Sequence, residues 1–146
     1  MAEICRRAGV ANGTFYQYFK DKEAVLLELA TRLSKALRTE LAVALQAEDD
    51  LEARLLAAFR IFVSFIRENR ALYQIFREIE FVHKRTHNRF YEGLVKIFAH
   101  CFAEAYRHGE VRRVDFEVAA VATIGVLHFL VLRWLILGPG EVPEQA

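Results

Sequence analysis

Proline and glycine are scarce in this chain, with two and seven among 146 residues. An all-β fold needs many residues suited to tight turns, so this scarcity argues against one. Hydrophobic residues make up 54% of the sequence, which is too apolar for a disordered protein. The composition therefore predicts a helical globular protein, either one ordinary domain or a small module joined to a larger one.

The net charge and the number of cysteines are also low. The net charge is +1, so no bulk attraction to nucleic acid or membrane is expected, and any DNA contact must come from a local patch. Cys5 and Cys101 lie far apart without the spacing of metal ligands, which favours reduced thiols in a cytoplasmic protein. The N-terminus lacks the pattern of a signal peptide, so secretion is not expected.

One apolar run, residues 118–138, has the length of a membrane span. His128 and Arg133 argue against insertion, because a charge at the centre of a span costs ~2.5–3.5 kcal/mol. A helix buried within an oligomer explains the run, and we predict that arrangement.

Two short helical segments near the N-terminus flank a turn. The pattern predicts helices over residues 2–8 and 13–19, with Gly9 in the turn between them. This is the build of a helix-turn-helix, whose second helix can lie in the major groove of DNA. Asp21 is predicted to cap a long third helix that reaches about residue 47.

The rest of the chain predicts an antiparallel bundle of helices. Asp49 and Glu52 resemble a capping box, and the polar segment 83–88 predicts a kink or loop. Gly109 predicts the end of a long helix, and Asp115 predicts the start of the last one.

Residues 8–26 read AGVANGTFYQYFKDKEAVL. This stretch closely resembles the DNA-binding signature of TetR (tetracycline repressor-like) transcriptional regulators. The resemblance implies an all-α, dimeric protein, with a partial helix-turn-helix followed by an antiparallel helical bundle. It implies a partial DNA-binding domain over residues 1–30, linked by the long helix, and an effector-binding and dimerisation domain over residues 48–146. The matching positions are Gly9, Val10, Gly13, Thr14, Tyr16, Phe19, Lys22 and Glu23.

The sequence departs from the family pattern at two points. Ala11 stands where the family usually has a serine as N-cap, and Asn12 is expected to cap the helix one residue later. The family also has a further helix before the position of Met1. We therefore expect the functional protein to begin upstream.

The second short helix has the side chains that DNA recognition needs, and resemblance and chemistry agree on them. Thr14 offers a hydroxyl and an N–H group to a phosphate, and Gln17 can pair with adenine. Lys22 is expected to contact the phosphate backbone, whereas Phe15 is expected in the core. The predicted DNA-binding set is Asn12, Thr14, Tyr16, Gln17, Tyr18 and Lys22.

Aromatic residues are abundant, with 12 Phe, five Tyr and one Trp. On the apolar faces of successive helices, such side chains either fill a core or line a cavity for an apolar or aromatic effector. His100 and Tyr106 offer further polar groups to orient it. The predicted effector-binding set is Phe59, Phe62, Tyr73, Phe76, Phe98, Cys101, Phe102 and His128.

The last helix has two apolar stripes, and both must be buried. One stripe would be covered within the domain and the other by a partner, which predicts a homodimer through the last two long helices. Two recognition helices about 34–36 Å apart would then read a palindromic operator. The first stripe is Ala119, Ala122, Thr123, Val126, Phe129 and Leu130, and the second is Val121, Ile124, His128, Val131 and Leu135.

The leading interpretation is a cytoplasmic, dimeric regulator that is not an enzyme and needs no cofactor. By the resemblance, it would be a repressor released from its operator by a small effector. No metal site is predicted, because His83 and His87 have a zinc-like spacing but no third ligand. The alternative is a helical ligand-binding or enzymatic bundle whose truncated head no longer binds DNA.

Overall fold

The computed structural model describes residues 2–47, 49–138 and 140, except for six side chains of the fifth helix. Every regular element of this part is helical, so the prediction of an all-α protein is confirmed. The chain divides into an N-terminal unit that ends at Leu33 and a C-terminal unit that begins at Ser34. The helices are α1 (Ala2–Ala8), α2 (Asn12–Tyr18), α3 (Lys22–Ala47), α4 (Leu51–Glu68), α5 (Arg70–Val82), α6 (Lys84–Arg107) and α7 (Phe116–Val131), which continues as a π-helical turn over Leu132–Ile136.

The N-terminal unit is built around a tight connection between α1 and α2. Gly9 has a φ of +66°, a left-handed conformation that glycine adopts without steric cost. The Val10 N–H donates to the Cys5 carbonyl at 3.0 Å and closes the turn. Cys5 and Phe15 are the residues of α1 and α2 that become buried, at 2% and 7% exposure. The predicted helix-turn-helix is therefore present.

The two predicted caps of this unit have different outcomes. Asp21 accepts a hydrogen bond from the Ala24 N–H at 2.7 Å, as expected for the start of α3. Asn12, however, does not cap α2. Ala11 occupies the N-cap position without a side-chain hydrogen bond, and Asn12 is already the first helical residue.

The C-terminal unit has one continuous apolar core. Five helices contribute to it. Four of them do so through residues spaced three or four apart, because that spacing places side chains on one helical face, and α5 contributes Tyr73. Phe98 and Leu41 are almost completely buried. The core residues are Leu37, Leu41, Leu45, Ala58, Phe62, Ile66, Tyr73, Phe90, Leu94, Phe98, Cys101, Ala120, Ile124, Leu127, Val131 and Leu135.

One boundary prediction in this unit is wrong, and another is confirmed only in part. Asp50, not Asp49, caps α4 by accepting from the Ala53 N–H at 2.8 Å, so the predicted capping box does not form. The segment 83–88 contains a break at His83, which separates α5 from α6, but it is not a loop, because α6 begins at Lys84. Its polar residues include exposed positions of the first turn of α6, and polarity there reflects exposure rather than a break.

The connection from α6 to α7 follows the prediction. Gly109 has a φ of +77°, and the Glu110 N–H donates to the Ala105 carbonyl at 2.9 Å, which ends α6 with a left-handed residue. The Asp115 carboxylate then accepts from the N–H groups of Glu117 and Val118 at 3.0 and 3.1 Å.

One face of α7 is buried and the opposite face is not. Ala120, Ile124, Leu127 and Val131 lie in the core. Val121 was predicted to share their stripe but is 53% exposed, at the edge of the buried face. The outer face includes Val118, Ala122, Val126 and Phe129.

By length and composition alone, the helix from Phe116 to Ile136 is also long and apolar enough to cross a membrane. Its most apolar window is 28% buried within the structure. A core helix passes the same test of length and composition, and one face of α7 lies in the core.

Candidate nucleic-acid interface

The short helix α2 presents its polar side chains outward. Asn12, Thr14 and Gln17 are exposed, and Tyr16 and Tyr18 are 56% and 78% exposed. All the predicted DNA-binding residues of α2 are thus accessible. Lys22, the sixth member of that set, is also exposed at the first position of α3.

Phe15 explains why α2 is oriented this way. Its ring is buried and packs against Phe19, with ring centroids 5.6 Å apart, and edge-on against Tyr16 at 5.3 Å. A buried aromatic anchor in a seven-residue helix fixes which face points inward. The opposite face is then left to groups that can donate to phosphates and base edges.

The two arginines of α1 share one carboxylate. Arg6 and Arg7 both donate to Glu3, at 2.6–2.8 Å. Arg6, and then Arg7, hold the pKa of the Glu3 carboxyl below its ordinary value. All three side chains are more than half exposed, so the cluster is open to water and to salt screening.

The predicted effector-binding residues occupy several different environments in the C-terminal unit. Phe62 and Phe98 are core residues, at 7% and 1% exposure, and Phe102 is half-buried. The side chain of Phe76 lies outside the described part of the chain. Phe59 and Cys101 line two separate cavities.

The first of these, the apolar cavity, has a volume of about 720 Å³ and lies between α4 and α7. Its walls include Leu55, Phe59, Leu127 and Leu130. Its volume falls in the range of about 300–1,000 Å³ that is typical of small-molecule sites.

The second, the basic cavity, has a volume of about 570 Å³ and lies between α3, α4 and α6. Its polar lining includes Arg54, Lys96, His100, Cys101 and Glu104. Arg54 is only 7% exposed and was not among the predicted site residues. Nothing in the local sequence distinguishes it from the surface arginines, because its burial depends on neighbours that are distant in the chain.

Tyr73 and His128, two further predicted effector-binding residues, form a hydrogen-bonded pair. The Tyr73 hydroxyl lies 2.8 Å from His128 Nδ1. Burial, and then the charge of Tyr91, raise the pKa of Tyr73, while burial and then Arg77 lower the pKa of His128. The neutral forms of both side chains are therefore favoured. The sequence named both residues but contained no signal for their pairing.

His83 and His87 have a zinc-like spacing, but the described residues around them form no cluster of metal ligands. His87 packs against the Tyr91 ring at 4.7 Å and lies 3.8 Å from a Glu80 oxygen. Among the residues that the structure describes, no three His, Cys, Asp or Glu side chains converge as metal ligands.

Residues 1–29, which hold α1, the turn, α2 and the start of α3, match the sequence model of the bacterial regulatory proteins of the tetR family. No curated protein matches the chain. Among solved structures, the chain is similar to a candidate TetR-family transcriptional regulator from Syntrophomonas wolfei str. Goettingen. The identity is 21%, the alignment covers 94% of this chain and 72% of the other, and the TM-score is 0.76.

At that identity the structural likeness concerns the fold, whereas the sequence match concerns the helix-turn-helix itself. The two findings agree, because the matched segment is the one whose polar helix face is exposed. Residues 1–29 thus match the tetR family in sequence, and the chain has an all-helical fold similar to that of a TetR-family regulator.

Proposed function

We propose that this protein is a DNA-binding transcriptional regulator of the tetR family, a cytoplasmic, non-enzymatic repressor that is released from palindromic DNA by a small apolar or aromatic effector. One observation supports the proposal that α2 reads DNA: the helix buries Phe15 on one face and exposes polar side chains on the other. Residues 1–30 would form a partial DNA-binding domain, and residues 48–146 would form the effector-binding and dimerisation domain.

The chemistry of the exposed α2 face fits the major groove. Gln17 can donate to and accept from adenine, and Thr14 can reach a phosphate from the first turn of the helix. Tyr16 and Tyr18 add phenolic hydroxyls. Lys22 provides a positive charge that the backbone phosphates of any DNA sequence would attract.

A homodimer is supported by the outer face of α7. Val118, Val126 and Phe129 are 63%, 59% and 67% exposed, and with the exposed Ala122 they follow one another at spacings of three or four residues. A contiguous stripe of large apolar residues is uncommon on the surface of a monomer and is typical of an interface. A second copy offers the same stripe, so the contact is self-complementary about a two-fold axis.

The apolar cavity supports the effector hypothesis. Phe59, Leu55, Leu127 and Leu130 give it aliphatic and aromatic walls, which favour a ligand with little charge. For such a ligand to release DNA, it must bind one conformation of the dimer more tightly than the other.

DNA from the promoter region of the protein's own gene is the first binding target to test, by gel shift with the full-length protein. Gln17→Ala should relax base preference at one position in each half-site, with a cost of about 1–3 kcal/mol on the preferred sequence. Gln74→Ala is the matched control, since Gln74 is exposed on α5 in the other unit.

If the Gln17→Ala variant keeps the base preference of the wild type, α2 does not read the bases through Gln17. If the protein binds no DNA in this assay, the alternative gains support: a helical ligand-binding or enzymatic bundle that does not bind DNA.

A further inference from the structure

We propose that the basic cavity is a binding site for a small organic monocarboxylate with an apolar body. The cavity is separate from the apolar cavity between α4 and α7. The proposal concerns ligand binding to the protein alone, so it does not rest on the repressor mechanism.

The inner end of the basic cavity is Arg54. This guanidinium is 7% exposed, and it is held by the Asp49 carbonyl, to which it donates at 3.0 Å, and by Glu110, whose oxygen lies 3.5 Å away. A buried arginine fixed by its neighbours is a preorganised fork for a carboxylate, because its planar N–H groups match the two oxygens. Such fixation reduces the entropy that binding must overcome.

The outer end of the basic cavity has further polar groups. Lys96 and His100 are exposed on α6, one turn apart, where they can attract an anion from solvent. Glu104, the carboxylate in the lining, is already engaged: it forms an ion pair with Arg107 and lies 3.6 Å from His100 Nε2. It therefore opposes an anion less than an unpaired carboxylate would.

The charges around the basic cavity favour a monoanion over a dianion. The lining has two cations, Arg54 and Lys96, and one carboxylate, Glu104, and a second carboxylate, Glu110, lies 3.5 Å from Arg54. Both carboxylates repel an anion, so a monocarboxylate is opposed less than a dianionic phosphate.

The apolar part of the lining selects the body of the ligand. Ala42 and Leu45 of α3 and Ile97 of α6 provide aliphatic surface beside the charged groups. An aliphatic carboxylate can place its chain on these side chains and its carboxyl group towards Arg54. Inorganic anions would gain only the charge interaction.

Calorimetric titration of the full chain with octanoate tests the proposal, with octanamide and inorganic phosphate as the comparison probes. Octanoate should bind, and octanamide and phosphate should bind at least about 10-fold more weakly, as expected for the loss of one charged hydrogen-bonded contact. Lys96→Met should weaken octanoate binding about 3-fold, and Arg54→Met about 10-fold or more. Lys84→Met, a second exposed lysine of α6 outside the lining, should leave it unchanged.

A second measurement locates the ligand. Cys101 lines the basic cavity and Cys5 lies in the other unit, so octanoate should slow maleimide labelling of Cys101 and not of Cys5, read by mass spectrometry of the peptides. If Arg54→Met fails to fold, Ala42→Trp, which fills the cavity, replaces it and should abolish binding.

Three results would overturn the proposal. They are equal binding of octanoate and octanamide, binding of phosphate alone, and octanoate binding that survives both Lys96→Met and the cavity-filling variant.

Discussion

The two units of this protein use apolar residues in opposite ways. Among the described residues of the N-terminal unit, the buried apolar side chains are Cys5, Phe15 and Ala30, while Ile4 and Val10 remain 40% and 41% exposed. The C-terminal unit buries a continuous core drawn from five helices. The difference teaches that the α2 face proposed for DNA recognition and most of the stabilising burial lie in different units.

Helix length reinforces the contrast. α1 and α2 have seven residues each, well below the ~12–15 residues at which an isolated helix becomes marginal in water. Their connection depends on the left-handed Gly9, and Phe15 is the buried residue of α2. α3, with 26 residues, is the element that the two units share.

If the C-terminal unit provides the stability, removing a core side chain there should have the largest effect. Leu41→Ala should lower the free energy of unfolding by about 2–5 kcal/mol, because Leu41 is 1% exposed and its loss leaves a cavity. Leu56→Ala, at a 45% exposed leucine of the same unit, should cost about 1 kcal/mol or less. Urea unfolding at one fixed protein concentration measures both, and equal losses would contradict the proposed location of the core.

The outer face of α7 is the exception within the stable unit, because it exposes apolar residues. Phe129→Glu should weaken self-association about 30-fold or more, since it places a charge at the centre of the proposed interface. Val43→Glu, at a 63% exposed valine of α3, should leave self-association unchanged. Sedimentation equilibrium measures the self-association of both variants and of the wild type. A wild-type protein that stays monomeric at micromolar concentration would refute the dimer.

The comparison can also be sharpened along α3, which has an exposed lysine in each unit. Lys22→Ala should weaken DNA binding several-fold for every sequence and reduce the slope of log Kd against log salt concentration by about 1. Lys35→Ala should change neither, because Lys35 is exposed in the C-terminal unit. Fluorescence anisotropy over a salt series measures both slopes, and two equal slopes would remove Lys22 from the interface.

The smallest expected effect concerns the polar pair inside the C-terminal unit. The pKa of His128 in the folded protein lies below its ordinary value of 6.5. At pH values between the two, the unfolded chain therefore binds the proton more readily than the folded one. Stability should therefore be full above about pH 6.5 and decline as the pH falls below it, by at most about 1.4 kcal/mol per pH unit for one proton.

His128→Asn keeps an acceptor for Tyr73 and removes the titration, so chemical unfolding between about pH 7 and pH 5 should show a smaller pH dependence than in the wild type. His100→Asn, whose native side chain is 63% exposed, is the control and should not reduce the dependence. An unchanged slope in His128→Asn would mean that other groups determine it.

The sequence predicted elements better than their ends. The helical class, the turn at Gly9 and the caps at Asp21 and Asp115 follow from local rules, in which one residue type satisfies one backbone need. Asp49 and Asp50 compete for the same role, and only packing decides which one the helix uses. The polar segment 83–88 was predicted to be a kink or a loop, and only His83 interrupts the helices, because exposure and a helix break give the same composition.

The candidate sites show the same limit. The exposed face of α2 follows from its motif and its seven-residue length, so its residues could be named from the sequence. The bundle candidates could not be sorted into core and cavity, because Phe98 and Phe59 have the same chemistry and similar spacing. Arg54 was missed altogether, since a buried arginine and an exposed one read alike in the sequence.

By itself, the sequence determined the helical class, the helix-turn-helix and the polar residues of α2 that the fold leaves exposed, because these depend on periodicity, caps and a short motif. Only the tertiary structure decided that Tyr73 meets His128, that Arg54 is buried beside Cys101, and that the apolar stripe with Val126 and Phe129 lies outward. These are contacts between helices, and their residues lie far apart in the chain. Their positions are set by how whole helices pack, which local sequence rules do not specify.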